Sequence, residues 1–249
     1  MKPVSTVGDP NRLEVLISRK AFVSADGAES EILRDLAFEL EPGTFTCLIG
    51  PSGCGKTTTL RILLGLDRDF SGSIGFPRGE ARLAAVFQEP RLLPWRTVEQ
   101  NIRLALPPGA EVDLDPLLAT LGLQAMRSRY PSELSLGLER RVALARAFAV
   151  MPDILLLDEP FVSLDEHTAD RLRTLLLELW QAHSVMVLMV THNIREAVQL
   201  ADRLLLINGR PASLVGDVAV SLPRGERSGG DLHRFVDALS RDHPDTVLS

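Results

Sequence analysis

Only two of the 249 residues are cysteine, Cys47 and Cys54. That excludes a disulfide framework, and neither thiol sits in a CxxC pair or beside a histidine at metal-ligand spacing. Two unpaired thiols in a reducing compartment are expected. No apolar run approaches the roughly 18 residues that a membrane-spanning helix needs. The runs at Ser184–Val190 and Ile154–Leu157 have the length of strands. Basic charge is also short: 27 Lys+Arg stand against 33 Asp+Glu, a net charge of −6. Proteins that grip a phosphate backbone lean the other way, so no nucleic-acid partner is expected. The segment Met1–Gly8 lacks a signal peptide's apolar core. The first ten residues, with Pro3, Gly8 and Pro10 and no period, read as a loose start.

What is present is a globular composition, 45% apolar and 24% charged, on a chain long enough for one to two domains. Arg12 to Phe22 and Ile32 to Leu40 predict strands, separated by turn chemistry over Ser24–Ser30. After a tight turn at Glu41–Gly43, Phe45–Ile49 predicts a short buried strand. It runs into a glycine loop and a helix from about Lys56 to Leu64. Between about Pro94 and Val150 the apolar period is helical. Strands return at Ile154–Asp158 and Val185–Val190, around a helix near His167–Gln181. Leu204–Ile207 followed by Asn208-Gly209 reads as a hairpin. After Pro223, residues 224–230 have linker composition and precede a short amphipathic piece, Leu232–Leu239. The plan is an α/β core with a helical insertion.

Gly50-Pro-Ser-Gly-Cys-Gly-Lys56-Thr57 fits G-x-x-x-x-G-K-[ST], between a predicted strand and a predicted helix. In that pattern backbone amides turn onto phosphate oxygens and the helix aims its positive end at the same anion. Lys56 would reach the β- and γ-phosphates, and the Thr57 hydroxyl would sit on Mg²⁺. Cys54 lies inside this loop, either as a small filler or as a thiol whose pKa the helix N-terminus lowers. Ile154–Leu157 leads directly into Asp158 and Glu159. Strand alternation would turn these two carboxylates opposite ways, one toward Mg²⁺ and one toward an attacking water.

Further motifs fall in order along the chain. Gln88 follows an apolar strand in Ala85–Pro90, and Leu134-Ser-Leu-Gly-Leu138 opens the helix Glu139–Phe148. Ser163-Leu-Asp165 follows the carboxylates, and Val190-Thr-His192 ends the next strand. This order resembles the ATP-binding subunit of ABC transporters from about Arg12 to Pro223. The resemblance implies an α/β P-loop NTPase core, a mixed or parallel sheet flanked by helices. To it are joined an N-terminal antiparallel β subdomain and an α-helical signature subdomain at about residues 90–150. Residues 224–249 would form a linker and a short helical tail.

The resemblance also implies roles. Gly50, Pro51, Ser52, Gly53, Cys54, Gly55, Lys56, Thr57 and Thr58 would bind ATP, and Phe22 would stack on adenine. Ser135 and Gly137 would complete the ATP site of a second copy, so that two chains sandwich two ATP molecules. Thr57, Gln88 and Asp158 would hold Mg²⁺. Glu159 matches the catalytic base, His192 the switch histidine at the γ-phosphate, and Gln88 and Lys56 complete the catalytic set. Val86–Ile102, with Leu92-Leu-Pro-Trp95 after the glutamine, looks like the nitrate, sulfonate and taurine importer branch. Transmembrane permease subunits would then be contacted near Gln88 to Arg96, and an extracytoplasmic solute-binding protein would take part indirectly. The chain would sit as a peripheral subunit on the cytoplasmic face of the cell membrane.

Two departures stand out. Leu136 replaces a glycine of the usual signature loop, where a Cβ either forbids a positive φ or crowds a phosphate. Val162-Ser163 stands where Ser-Ala is usual. Leu136 keeps open a weakly active or regulatory cassette that does not itself drive transport. A non-transport ABC ATPase fits less well, because only 47 positions separate Gln88 from Ser135 and no heptad array fills them. A P-loop GTPase or kinase fails for want of an Asn-Lys-x-Asp motif.

Overall fold

The computed structural model describes residues 11–247; the loose start and the leader reading at residues 1–10 lie outside them. The chain divides into two compact units, one formed by Arg82–Val185 and one by the chain on either side of it.

The flanking unit is built on a mixed sheet. Its strands are β1 (Leu13–Val23), β2 (Glu29–Leu40), β3 (Phe45–Ile49), β4 (Ser71–Gly75), β7 (Met186–Thr191), β8 (Arg203–Gly209) and β9 (Ala212–Ala219). They lie in the order β4-β1-β2-β9-β8-β3-β7. β1 alternates buried Leu13, Val15 and Ile17 with exposed residues, as a strand with one covered face does. It pairs antiparallel with both β2 and β4, forming the expected antiparallel subdomain. β3 is buried throughout and runs parallel to β7 and β8. Runs of that kind need cover on both faces, and α1 (Lys56–Leu63) and α6 (Ile194–Leu200) contribute it here.

The unit Arg82–Val185 holds two parallel strands, β5 (Leu83–Val86) and β6 (Ile154–Asp158). Around them lie α2 (Val98–Arg103), α3 (Asp115–Thr120), α4 (Leu136–Phe148) and α5 (Glu166–His183). Glu99 on α2 is held by Arg127 at 2.6 Å and Arg103 at 2.8 Å. These guanidinium groups pull its carboxyl down to about 2.

Three expectations change. The hairpin exists, but its two loop residues are Arg210 and Pro211. Asn208 and Gly209 belong to β8, opposite Ser213 and Ala212. The stretch 224–230 is not a free linker. Arg227 is buried and donates to the carbonyls of Leu222 at 2.8 Å and Ala201 at 2.7 Å, while Arg224 reaches Leu200 and Asp202. The amphipathic piece extends to a full helix, α7 (Gly229–Asp242), which buries Leu232, Val236 and Leu239. Arg195 of α6 meets His233 of α7 at 2.8 Å.

Candidate functional site

β3 ends at Ile49, and the glycine loop begins at the next residue. The loop closes on its own lysine: Lys56 Nζ donates to the carbonyls of Gly50 at 2.7 Å and Pro51 at 2.9 Å. The lysine is almost wholly buried, so the ammonium is stationed inside the loop rather than in solvent. Its glycines are required for different reasons. A Cβ on Gly50 would meet the Ile207 carbonyl oxygen at 2.5 Å, so this position is fixed by packing on β8. Gly55 combines a φ of +102° with a Cβ position 2.6 Å from Leu33. Gly53, at φ +78°, faces open space, and its left-handed backbone is what demands glycine.

Gly55 is also the N-cap of α1, and no side chain caps it. The first-turn amides of α1 point, with the helix dipole, toward the loop. A lysine ammonium, the first-turn amides and the exposed Thr57 hydroxyl are the groups that a polyphosphate with its divalent cation requires. The other loop positions, Pro51, Ser52 and Thr58, are exposed or half-buried. Cys54 is different: it is buried, and burial pushes its thiol up rather than down. The filler reading holds for it, and Cys47 is likewise buried and free.

The register of the flanking unit sets His192 beside this loop. Ile49 of β3 pairs with Thr191 of β7, and the strands are parallel, so the glycine loop and His192 leave the same edge of the sheet. Ligands of open α/β sheets collect at such carboxyl ends. Asn193 makes the turn sharp by capping α6, accepting from Arg195 N at 3.0 Å and Glu196 N at 3.3 Å. Phe22 on β1 is 45% exposed, and the Lys20 ammonium lies 4.5 Å from its ring centroid.

The unit Arg82–Val185 gathers the other group in the same way. Val86 pairs with Leu157 in parallel, so Gln88 and the carboxylates emerge from one end of neighbouring strands. Strand alternation stops at Asp158 and does not govern Glu159. β6 ends at buried Asp158, and Glu159 sits outside it with a left-handed φ of 45°. Ser163, four residues on, is left-handed too, at φ 65°. Bulky residues seldom adopt this region, and such strain collects at functional sites.

The signature loop is equally specific. Ser135 N-caps α4, accepting from Leu138 N at 3.4 Å. Leu136 opens the helix with ordinary helical backbone and is 37% exposed. The replaced glycine therefore costs no positive φ, and only crowding of a phosphate remains at issue. Gly137 is the tighter constraint, since its Cβ would lie 2.5 Å from Thr168 Cγ2 on α5. Gly137→Ala is expected to push α4 and α5 apart at a cost of about 1–3 kcal/mol. Thermal unfolding should show Tm lowered by roughly 2–4 °C per kcal/mol lost; an unchanged Tm would mean that Thr168 turns aside freely.

Two residues absent from the sequence expectations organise the loops. Buried Asn101 donates to the carbonyls of Leu93 at 3.1 Å, Arg96 at 3.0 Å and Thr97 at 3.0 Å, and accepts from Leu93 N at 2.7 Å. It thereby presents Trp95, 67% exposed, on a pinned loop. Buried Arg140 donates to the carbonyls of Phe87 at 3.1 Å and Val162 at 3.2 Å. Neither was legible, because each acts on backbone carbonyls, and those leave no mark in a residue pattern. Among the described residues, no helix is long and apolar enough to cross a membrane.

Comparison with known proteins agrees with this geometry. The ABC transporter family matches residues 33–162, just over half of the chain. The chain is 40% identical to the aliphatic sulfonates import ATP-binding protein SsuB of Pseudomonas syringae pv. tomato, over 95% of this chain and all of that one. It is 39% identical to the protein of the same description from Bacillus licheniformis, over 85% of this chain and 86% of that one. A bacterial ABC transporter cassette solved as a dimer superposes with a TM-score of 0.73 at 24% identity, covering 84% of this chain and 98% of that one. The parallel strand β3 that ends in the glycine loop, the left-handed carboxylate turn and these relatives lead to one conclusion: the chain belongs to the ABC transporter family, as an ATP-hydrolysing cassette.

Proposed function

We propose that this cassette powers import of aliphatic sulfonates, or of a closely related small oxyanion or organosulfur solute such as taurine or nitrate. One observation carries the ATPase part: the glycine loop folded around the buried Lys56 ammonium at the head of α1. The solute part is supported by relatives described as aliphatic sulfonates import proteins.

In this reading Lys56 and the loop amides from Gly50 to Thr58 orient the triphosphate. Phe22 takes the adenine on its exposed face. Thr57, Gln88 and Asp158 would hold Mg²⁺, which would offset negative charge on the bound phosphates. Glu159 accepts the proton of the attacking water, and His192 orients the γ-phosphate. Ser135 and Gly137 serve the nucleotide of a second copy. ATP then favours the closed pair, and loss of phosphate lets the pair reopen, a population shift that a permease can follow. The chain sits peripherally on the cytoplasmic face of the membrane, with an extracytoplasmic solute-binding protein acting through the permease.

The decisive experiment is reconstitution with a sulfonate permease and its solute-binding protein in proteoliposomes. ATP hydrolysis should rise when the binding protein carries an aliphatic sulfonate. No stimulation by sulfonate, taurine or nitrate would overturn the importer reading and favour a regulatory cassette.

Trp95 is proposed as the permease anchor, because it is a large exposed aromatic on a loop that Asn101 makes rigid. Such anchors carry 2 kcal/mol or more of an interface, about 30-fold in affinity. Trp95→Ala should therefore reduce co-purification with the permease about 30-fold and leave Tm and basal ATPase unchanged. Equal recovery of the complex would remove Trp95 from the interface.

A further inference from the structure

We propose that Arg140 and Arg146 of α4 are positioning residues that lock the Gln88 loop and the turn after Glu159 to the signature helix, so that all three move as one body. The proposal rests on the roles given above to Gln88 and Glu159.

Arg140 is 3% exposed, yet its hydrogen bonds go to backbone carbonyls and its Nε has no partner. Burying a guanidinium is costly, so a sequence that does so needs a compensating contact. The two contacts it makes are with Phe87, the residue before Gln88, and with Val162, three residues after Glu159. Both carbonyls lie outside helices and strands, where no ladder would supply a donor. Val162 N in turn donates to the Glu159 carbonyl at 3.3 Å. Arg140 is thus one residue removed from the left-handed turn that aims Glu159.

Arg146, further along the same helix, holds the far side of the Gln88 loop. Its Nη2 donates to the Pro90 carbonyl at 2.7 Å and its Nη1 to the Arg91 carbonyl at 3.0 Å. The loop is also closed on itself, since the Arg91 guanidinium stacks 4.6 Å from the Phe87 ring centroid and Arg91 has a left-handed φ of 48°. Gln88 is exposed within this clamped frame. Charged donors on carbonyls make stronger bonds than neutral ones. A displacement of α4, with Ser135 at its tip, therefore carries Gln88 and the Glu159 turn with it.

The test compares Arg140→Met, Arg140→Lys and Arg146→Met in the full-length protein by amide hydrogen exchange, melting temperature and ATPase kinetics. Arg140→Met should speed exchange at least tenfold in peptides covering 87–91 and 159–165. Arg146→Met should do so only over 87–91, and the amides of α4 should keep their protection in both. Misplacing Gln88 and Glu159 should lower kcat by about 10- to 100-fold with KM for ATP within twofold. Arg140→Lys, with one charged donor group, should recover part of both effects. Unchanged loop exchange in Arg146→Met overturns the proposal even where Arg140→Met does not fold. So does loss of protection throughout Arg82–Val185 with kcat and KM changing together, which is what a purely structural arginine would give. Glu159→Gln, run in parallel, separates the two ideas: normal turnover there removes the base role, while loop exchange still reports on the clamp.

Discussion

Replacing Glu159 by glutamine is expected to slow steady-state ATP hydrolysis by roughly 10²–10⁴-fold while nucleotide binding survives. Buried Ile154–Leu157 of β6 fix the strand end and so fix buried Asp158. The next residue turns into the left-handed region at φ 45°, which costs a non-glycine residue about 1–3 kcal/mol. A solvated loop would relax. This one is held by buried Pro160 and Phe161, by the bond from Val162 N to Glu159 O, and by Arg140 on the Val162 carbonyl. The backbone therefore spends stability on holding this one turn, and the base role proposed for Glu159 would use a position fixed in that way. Glutamine keeps the shape and the turn but cannot take a proton at that position. Phosphate release should collapse, titration with a fluorescent ATP analogue should give the parent affinity, and an ATP-dependent dimer should accumulate in size-exclusion chromatography. Turnover within threefold of the parent would take the base role away from Glu159.

Much of this site can be read along the chain because its strands are buried on both faces. Phe45–Ile49 and Ile154–Asp158 are mostly apolar runs bounded by turn chemistry, and the structure reproduces both to the residue. The glycine pattern marks the loop, but not the packing on Ile207 of β8 that also demands glycine at Gly50. What stays hidden is whatever depends on a distant carbonyl. Asn101 reads as one more polar helix residue, and Arg140 as part of a basic run, until Leu93, Arg96, Phe87 and Val162 are seen around them. Residues 224–230 fail for the same reason, since Gly, Ser and Arg look solvated until Arg227 is found bonded to Ala201 and Leu222. The hairpin slips by two residues because Asn208-Gly209 is the stronger turn signal, yet β8 continues through it and pairs Gly209 with Ala212.

Replacing Lys56 by methionine should produce the opposite separation, a loss of binding from which loss of turnover follows. The side chain is 5% exposed at the first residue of α1, a place where a lysine stem is normally free to reach solvent. Burying its ammonium is tolerable only because the carbonyls of Gly50 and Pro51 accept from it at 2.7 and 2.9 Å. Those same bonds hold the charge at the centre of the loop, so the cation is in place before any anion arrives. A phosphate oxygen is charged and makes a stronger bond than a carbonyl, so the ammonium exchanges acceptors at a net gain. Methionine preserves the length and the apolar stem and removes the charge with all three donors. A lost hydrogen bond to a charged group is worth about 1.5–3 kcal/mol, which predicts ATP binding weakened by roughly 10- to 100-fold in equilibrium dialysis. Arginine should not substitute, because its planar fork is larger than the buried ammonium and cannot fit between the two carbonyls without opening the loop. If Lys56→Met binds ATP as tightly as the parent, the loop amides and the α1 dipole carry the phosphates by themselves. Set beside Glu159→Gln, the pair assigns binding to the β3–α1 junction and chemistry to the end of β6, two strand ends that can fail independently.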